Sequence, residues 1–240
     1  MKKTLKRTAR VLLVLFILFQ IYFSIRIYWL ASCAIPTYSM SPTLVGGDYI
    51  LASMQIPGRR VYEEDPSRPG HSVIHRKKGT RNVQKGDVVV FNFPYVDNKD
   101  KMVLSNKVFY CKRCAAIPGE TYKWRTHKGW KNVYLPKTGD DIRIDTTNYQ
   151  DYYKCIEYET GLSMQIDKEG GIFLADSLLK SYRFRHDYYF MRGDNSKDSY
   201  DSRFWGLLPD DFILGVGQCI WFSKDPKTKD IRWNRMFKKI

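Results

Sequence analysis

The sequence predicts a mostly β protein behind one N-terminal transmembrane helix, with an inserted lid or subdomain. Three observations lead there. Val11 to Leu30 is a run of 20 residues whose polar interruptions are Gln20, Ser24 and Arg26. Beyond residue 31 the apolar residues come in short β-branched and aromatic runs, and no long stretch keeps a convincing 3.6-residue period. The chain has 240 residues and is 43% hydrophobic, enough to bury a sizeable core. The net charge of +15 excludes an acidic disordered tail, and the composition excludes a collagen-like fibre or a polytopic transporter. A basic balance leaves nucleic-acid binding open at this point.

The N-terminal elements come first. Residues 1–10 hold Lys2, Lys3, Lys6, Arg7 and Arg10 with no acid, and apolar residues follow at once. That order reads as a membrane topogenic signal. The basic segment 1–10 is expected in the cytoplasm, 11–30 as the anchor, and 31–240 as an extracytoplasmic domain. A helix rises about 1.5 Å per residue, so roughly 20 residues cross the hydrocarbon. Arg26 lies near the outer end, where its stem reaches the interface, and Tyr22, Tyr28 and Trp29 suit the same layer. Ala31-Ser32-Cys33-Ala34 offers small residues for a cleaved signal, and Leu30-Ala31-Ser32-Cys33 looks like a lipobox. Arg26, seven residues before Cys33, interrupts the apolar core both signals prefer, so an uncleaved anchor is expected.

Strand signals follow at 48–52, 87–91, 108–111, 171–174, 188–191 and 216–222, punctuated by Gly46-Gly47, Lys85-Gly86 and Pro118-Gly119. Residues 57–83, rich in Pro, Gly and charge, read as an exposed loop insertion with solvated charges or a contact to anionic lipid. Residues 121–185, polar and tyrosine-rich, read as the inserted subdomain.

Metal and redox chemistry find little support. His71 and His75 stand four apart without a neighbouring Glu or third ligand. Asp194 to Trp205 has Ser199 and Trp205 where a calcium loop needs Gly and Glu. Cys111 and Cys114, three apart on a strand, would point to opposite faces, against a shared metal or disulfide. No metal and no cofactor are expected, and five scattered cysteines do not make a disulfide framework.

Nucleophilic chemistry fits better. Ser39 lies just past the anchor between Pro36 and Pro42, and a serine needs a base to take its proton. None of the four histidines sits in a triad context. Lys112 would share its strand face with Val108, Tyr110 and Cys114. Burial there, helped by the adjacent charge of Arg113, would lower its pKa and free the amine to act.

These segments resemble the boxes of the bacterial type I signal (leader) peptidases, membrane-anchored Ser-Lys proteases. The likeness is carried by Ser39-Met40-Ser41-Pro42-Thr43-Leu44, by Lys85-Gly86-Asp87-Val88-Val89-Val90-Phe91, and by Tyr110 through Glu120 around Lys112. Gly193 through Gly206 completes it. The resemblance implies an antiparallel β catalytic domain with Ser39 as nucleophile and Lys112 as general base. It implies Thr37 and the Ser39 N–H as oxyanion hole, and Ser199 as the residue orienting the lysine amine. Asp201 and Arg203 would be a supporting ion pair, with Ile35 and Cys111 lining the substrate pocket. Cys111 replaces a commoner branched aliphatic residue, and Tyr38 a small one. The implied partners are preprotein substrates with Ala-x-Ala-like sites and membrane lipid, with no nucleic acid.

The expected function is therefore removal of signal peptides at the outer face of the cytoplasmic membrane. The alternatives are a specialised relative with few substrates, or an inactive one that binds. A self-cleaving Ser-Lys repressor needs a DNA-binding domain for which residues 1–38 leave no room. Nucleic-acid binding would conflict with the topology.

Overall fold

A computed structural model of the chain describes residues 2–64, 72–95, 100–127 and 129–240. Helix α1 (Lys2–Tyr28) opens it and leads into β1 (Leu30–Ile35). Leu30, the expected last residue of the anchor, is thus the first of a strand. The side chains from Val11 to Phe23 on α1 are exposed. Among the described residues, no helix is long and apolar enough to cross a membrane.

The following elements are β2 (Asp48–Ser53), β3 (Arg60–Glu64), β4 (Ser72–Arg76), β5 (Val88–Asn92) and β6 (Phe109–Ala116). Then come β7 (Thr121–Thr126), β8 (Gly129–Tyr134), β9 (Asp141–Arg143), α2 (Tyr149–Thr160) and β10 (Met164–Ile166). The chain ends with β11 (Ile172–Leu174), β12 (Ser177–Leu178), β13 (Ser181–Arg183), β14 (Tyr188–Arg192), α3 (Ser202–Trp205), β15 (Leu208–Pro209) and β16 (Ile213–Ser223). The protein is mostly β, and among the described residues every strand pairing is antiparallel.

One seven-stranded sheet, in the order β1-β2-β16-β5-β6-β14-β15, carries the molecule. Strand β5 explains why the sheet has two cores. All five of its residues are buried, and the two-residue period sends them alternately to opposite sides. Val89 and Phe91 join a large aromatic-rich cluster with Trp124, Tyr188 and Phe212. Val88 and Val90 join a smaller one with Ile35, Met40, Leu44, Ile50 and Ile220. The smaller core lies under the Ser39 turn. Burying one such aliphatic or aromatic side chain stabilises by roughly 1.5–3 kcal/mol.

The two stretches read as insertions hold regular elements. Within 57–83 the described residues include β3 and β4, which pair antiparallel with Val61 opposite His75. Two of their charges are drawn inward. Arg76 donates to the carbonyls of Gly58 (2.6 Å), Asp210 (2.6 Å) and Ile213 (2.8 Å). Arg60 reaches Asn92 Oδ1 (2.6 Å) and the Asp211 carbonyl (3.0 Å). His71 lies outside the described residues.

Residues 121–185 contain the β7–β8 hairpin, the β9–β13 pair, the β10-β11-β12 sheet and α2. That helix corrects the reading that no helical period follows residue 31. Tyr152, Cys155 and Ile156 are its buried face. The spacing is helical, but tyrosines on several sides blur the apolar stripe, and Gly161 at φ 71° ends it.

Candidate active site

The nucleophile turn is irregular backbone between β1 and β2, so hydrogen bonds must fix it in place of strand register. Ser41 N donates to the Tyr38 carbonyl (3.0 Å) and Leu44 N to the Met40 carbonyl (2.9 Å). Met40 and Leu44 are buried in the smaller core beneath. This leaves Ser39 on the rim of a cleft of about 530 Å³. One wall runs from Cys33 to Met40; the other includes Val90, Phe109, Tyr110, Cys111 and Lys112. Ile35, Thr37 and Cys111 therefore all line the cleft that holds Ser39 and Lys112.

Lys112 sits mid-strand on β6, opposite Val89. It is 4% exposed, and its Nζ donates to Ser39 Oγ at 2.5 Å. The amine also stands 5.6 Å from the Tyr110 ring centroid. Burial is the largest influence on it and drives its pKa below the ordinary lysine value, with Arg203 adding to the depression. The charges of Asp201 and Asp194 oppose it without reversing the direction. Thr37 Oγ1 lies 3.3 Å from Ser39 Oγ. A neutral amine in this place would accept the serine proton, reversing the direction of the hydrogen bond.

Arg113 corrects one expectation. Its charge is not what depresses Lys112: Arg113 Nε and Nη2 grip Asp194 at 2.7 and 2.6 Å, and Nη1 donates to the Gly86 carbonyl at 2.7 Å. Strand alternation sends the two neighbours to opposite faces. The same alternation separates the cysteines. Cys111 packs against the smaller core and Cys114 sits in the larger. Burial raises both thiols to about 12.

The segment after β14 closes the site from the other side. Asn195 N donates to the Ser39 carbonyl at 3.1 Å, and Asn195 Nδ2 to the Tyr38 carbonyl at 3.3 Å. Asp201 is completely buried. Its carboxylate receives Arg203 Nε (2.7 Å), Arg203 Nη2 (2.9 Å) and Gly193 N (2.9 Å). Burial pushes its pKa up, but these donors win and hold it below the ordinary carboxylate value. Asp201 also caps α3. Ser199 Oγ is buried, and no hydrogen bond joins it to Lys112; its hydroxyl instead helps hold the Asp201 carboxylate charged. It packs where a Gly193 side chain would be, 2.0 Å from the position of a Cβ there.

Asp194 and Asn195 stand in the Gly193–Gly206 segment without a signature that marks them as site residues. The same holds for Asp48, buried beneath the turn. A carboxylate in the Gly46-Gly47-Asp48 turn carries no chemical signature of its own. Among the described residues one group has metal-like spacing, His186 with Asp210 and Asp211, and it does not line the cleft.

The site thus joins an extended cleft, an edge strand beside it and a serine touching a buried lysine. The chain belongs to the family described as Signal peptidase, peptidase S26, whose profile matches residues 7–222. It is 29% identical over 228 residues to Signal peptidase I of Aquifex aeolicus, covering 87% of this chain and 82% of that one. It is 29% identical over 217 residues to Signal peptidase I of Pseudomonas fluorescens, covering 82% and 66%. Signal peptidase I of Buchnera aphidicola from Acyrthosiphon pisum is 25% identical over 264 residues, covering 92% and 78%.

Proposed function

We propose that this chain is a membrane-anchored serine endopeptidase that removes N-terminal signal peptides from exported preproteins. The observation that carries the reading is the 2.5 Å contact from buried Lys112 Nζ to Ser39 Oγ inside the cleft. In its neutral form Lys112 takes the Ser39 proton as Oγ attacks the scissile carbonyl. The Thr37 hydroxyl and the Ser39 N–H face the oxyanion, each such donor supplying about 3 kcal/mol to the transition state. Lys112, now charged, gives its proton to the leaving amine. It then deprotonates the water that hydrolyses the acyl-enzyme. The Ser199 hydroxyl is the group available to hold the amine when it leaves Ser39, and Asp201 with Arg203 keeps that loop in place.

Substrate enters as an extended strand between the β1 wall and the β6 wall. Backbone pairing supplies affinity and alternate side chains enter pockets. Ile35 and Cys111 shape those pockets for small residues such as the two alanines of an Ala-x-Ala site. Thiol for branched aliphatic at 111 makes room for a slightly different side chain there.

Helix α1 is the anchor in this reading. Its 27 residues extend roughly 40 Å, and its apolar side chains from Val11 to Phe23 are exposed. The basic residues 1–10 stay in the cytoplasm, and the β domain lies outside the cytoplasmic membrane in a single-pass arrangement. Trp29 and Trp221 are exposed near the end of the helix, Trp221 Nε1 donating to Ser32 Oγ at 3.0 Å. Their amphipathic rings suit the headgroup layer.

The test is cleavage of an Ala-x-Ala preprotein in detergent. Wild type is expected to cut after the second alanine. Ser39→Ala and Lys112→Ala are each expected to lose on the order of 10³-fold or more. Normal turnover in Lys112→Ala would refute the mechanism; an inert wild type would refute the function.

A further inference from the structure

We propose that Arg235 is a positioning residue for the nucleophile turn, setting Ser39 against Lys112 through Asp48 and Thr43. The inference rests on the reading of Ser39 as nucleophile. It concerns a segment outside the boxes and beyond residue 222, where the family match ends.

The turn from Pro36 to Gly47 needs support from two sides. Asn195 supplies one. The other is the chain after β16. Arg235 Nε donates to Asp48 Oδ1 at 3.0 Å and Nη2 to Asp48 Oδ2 at 2.7 Å. The same Nη2 donates to the Thr43 carbonyl at 2.9 Å. Asp48 is completely buried. It also accepts from Ser223 Oγ (2.7 Å) and from Val45 N (2.9 Å), so its four acceptor contacts tie the turn to β16 and to Arg235 together. Arg232 adds a second strut, with Nη2 donating to the Gly46 carbonyl at 2.5 Å and the Lys224 carbonyl at 3.1 Å. The approach is close. Gly47 has φ +92°, and a Cβ there would sit 1.9 Å from the Lys224 carbonyl oxygen.

Thr43 is where the two halves of the site are brought into register. Its hydroxyl receives Arg113 Nη2 at 3.3 Å, from the strand that carries Lys112. Its carbonyl receives Arg235, from the C-terminal segment. The bond from Leu44 N to the Met40 carbonyl couples Thr43 to the residue next to Ser39. A forked guanidinium serves Asp48 and Thr43 at once; a lysine ammonium keeps the charge but lacks the fork. Displacement of a reacting group by a fraction of an ångström is enough to slow chemistry without weakening substrate binding.

The experiment compares Arg235→Lys and the double variant Asp48→Asn/Arg235→Gln with wild type, as full chains in detergent with an Ala-x-Ala preprotein. Thermal melting, kcat, KM and the pH profile of kcat are read for each. Arg235→Lys is expected to melt near wild type, with kcat about tenfold lower, KM within twofold and a displaced acid limb. The double variant, which removes both charges without stranding either one, is expected to show the same split. If the folded variants keep kcat within twofold and an unchanged pH profile, the inference falls. If neither variant folds, the pair is purely structural and the inference falls as well. Ser39→Ala run in parallel separates the two readings: activity there overturns the nucleophile itself, whereas its loss beside normal Arg235 variants overturns only the positioning role.

Discussion

Lys112 and Arg113 are neighbours on β6, yet their charges serve opposite sides of the strand: one amine on Ser39, one guanidinium on Asp194. The cation that acts on Lys112 is Arg203, which reaches the site from 91 positions further along. Lys112 therefore owes its depressed pKa first to burial and then to a cation already committed to Asp201.

Arg203→Gln follows from that. The substitution removes a positive charge that depresses Lys112 and leaves the Asp201 carboxylate, which raises it, without its guanidinium. Both changes stabilise the protonated amine. The acid limb of the kcat/KM profile is expected to move to higher pH, because more alkali is then needed to free the base. A pH–rate series on wild type and Arg203→Gln checks it, and a limb that stays put or moves to lower pH refutes it.

Gly193→Ala should disable the site while sparing the fold. A Cβ at 193 would stand 2.0 Å from Ser199 Oγ and 2.5 Å from the Ser39 carbonyl oxygen. The methyl must push the nucleophile turn and the Ser199 loop apart. A loss in kcat on the order of 10²-fold is expected, with far-ultraviolet circular dichroism unchanged. Activity within threefold of wild type would show that the loop yields without moving Ser39.

Much of this was legible in the chain because the chemistry is local. Strands such as β5 announce themselves by a run of valines, and Ser39 and Lys112 by the motifs around them. What escaped was relational. Nothing near Arg76 says that its guanidinium will close three carbonyls from Gly58, Asp210 and Ile213, so a charged stretch read as a loop. Nothing near Asp48 says that Arg235 will find it. Helix α2 escaped because tyrosine reads as polar or apolar depending on what it packs against. Tyr152 is buried with its hydroxyl donating to the Tyr134 carbonyl at 2.9 Å.

The β3–β4 pair should matter for stability and not for chemistry. Arg76→Ala leaves those three carbonyls without their shared donor, at a cost of roughly 2–4 kcal/mol. For a chain of this length the melting temperature is expected to fall by about 5–10 °C. Cleavage well below melting should be unchanged, since no Arg76 contact reaches the cleft. A large loss of kcat at an unchanged melting temperature would contradict this.

His186 gives the fold an alkaline weakness. Its Nδ1 lies 3.1 Å from Asp210 Oδ1 and its Nε2 3.5 Å from Asp211 Oδ2, with Tyr158 donating to Asp211 at 3.1 Å. Burial opposes the imidazolium, but the Asp210 hydrogen bond and the charges of Asp211, Asp210 and Glu159 outweigh it and raise the pKa to about 9. The unfolded value is about 6.5. A group whose folded pKa is raised contributes fully below the unfolded value and loses that contribution as pH rises through the folded one. Stability from this cluster should therefore be complete below about pH 6.5 and disappear through about pH 9. Urea unfolding of wild type and His186→Gln across that range checks it. The gap between them should be widest at the acid end and close on the alkaline side. A gap that widens with pH would mean that the ring is neutral in the fold and that the two carboxylates are held apart by something else.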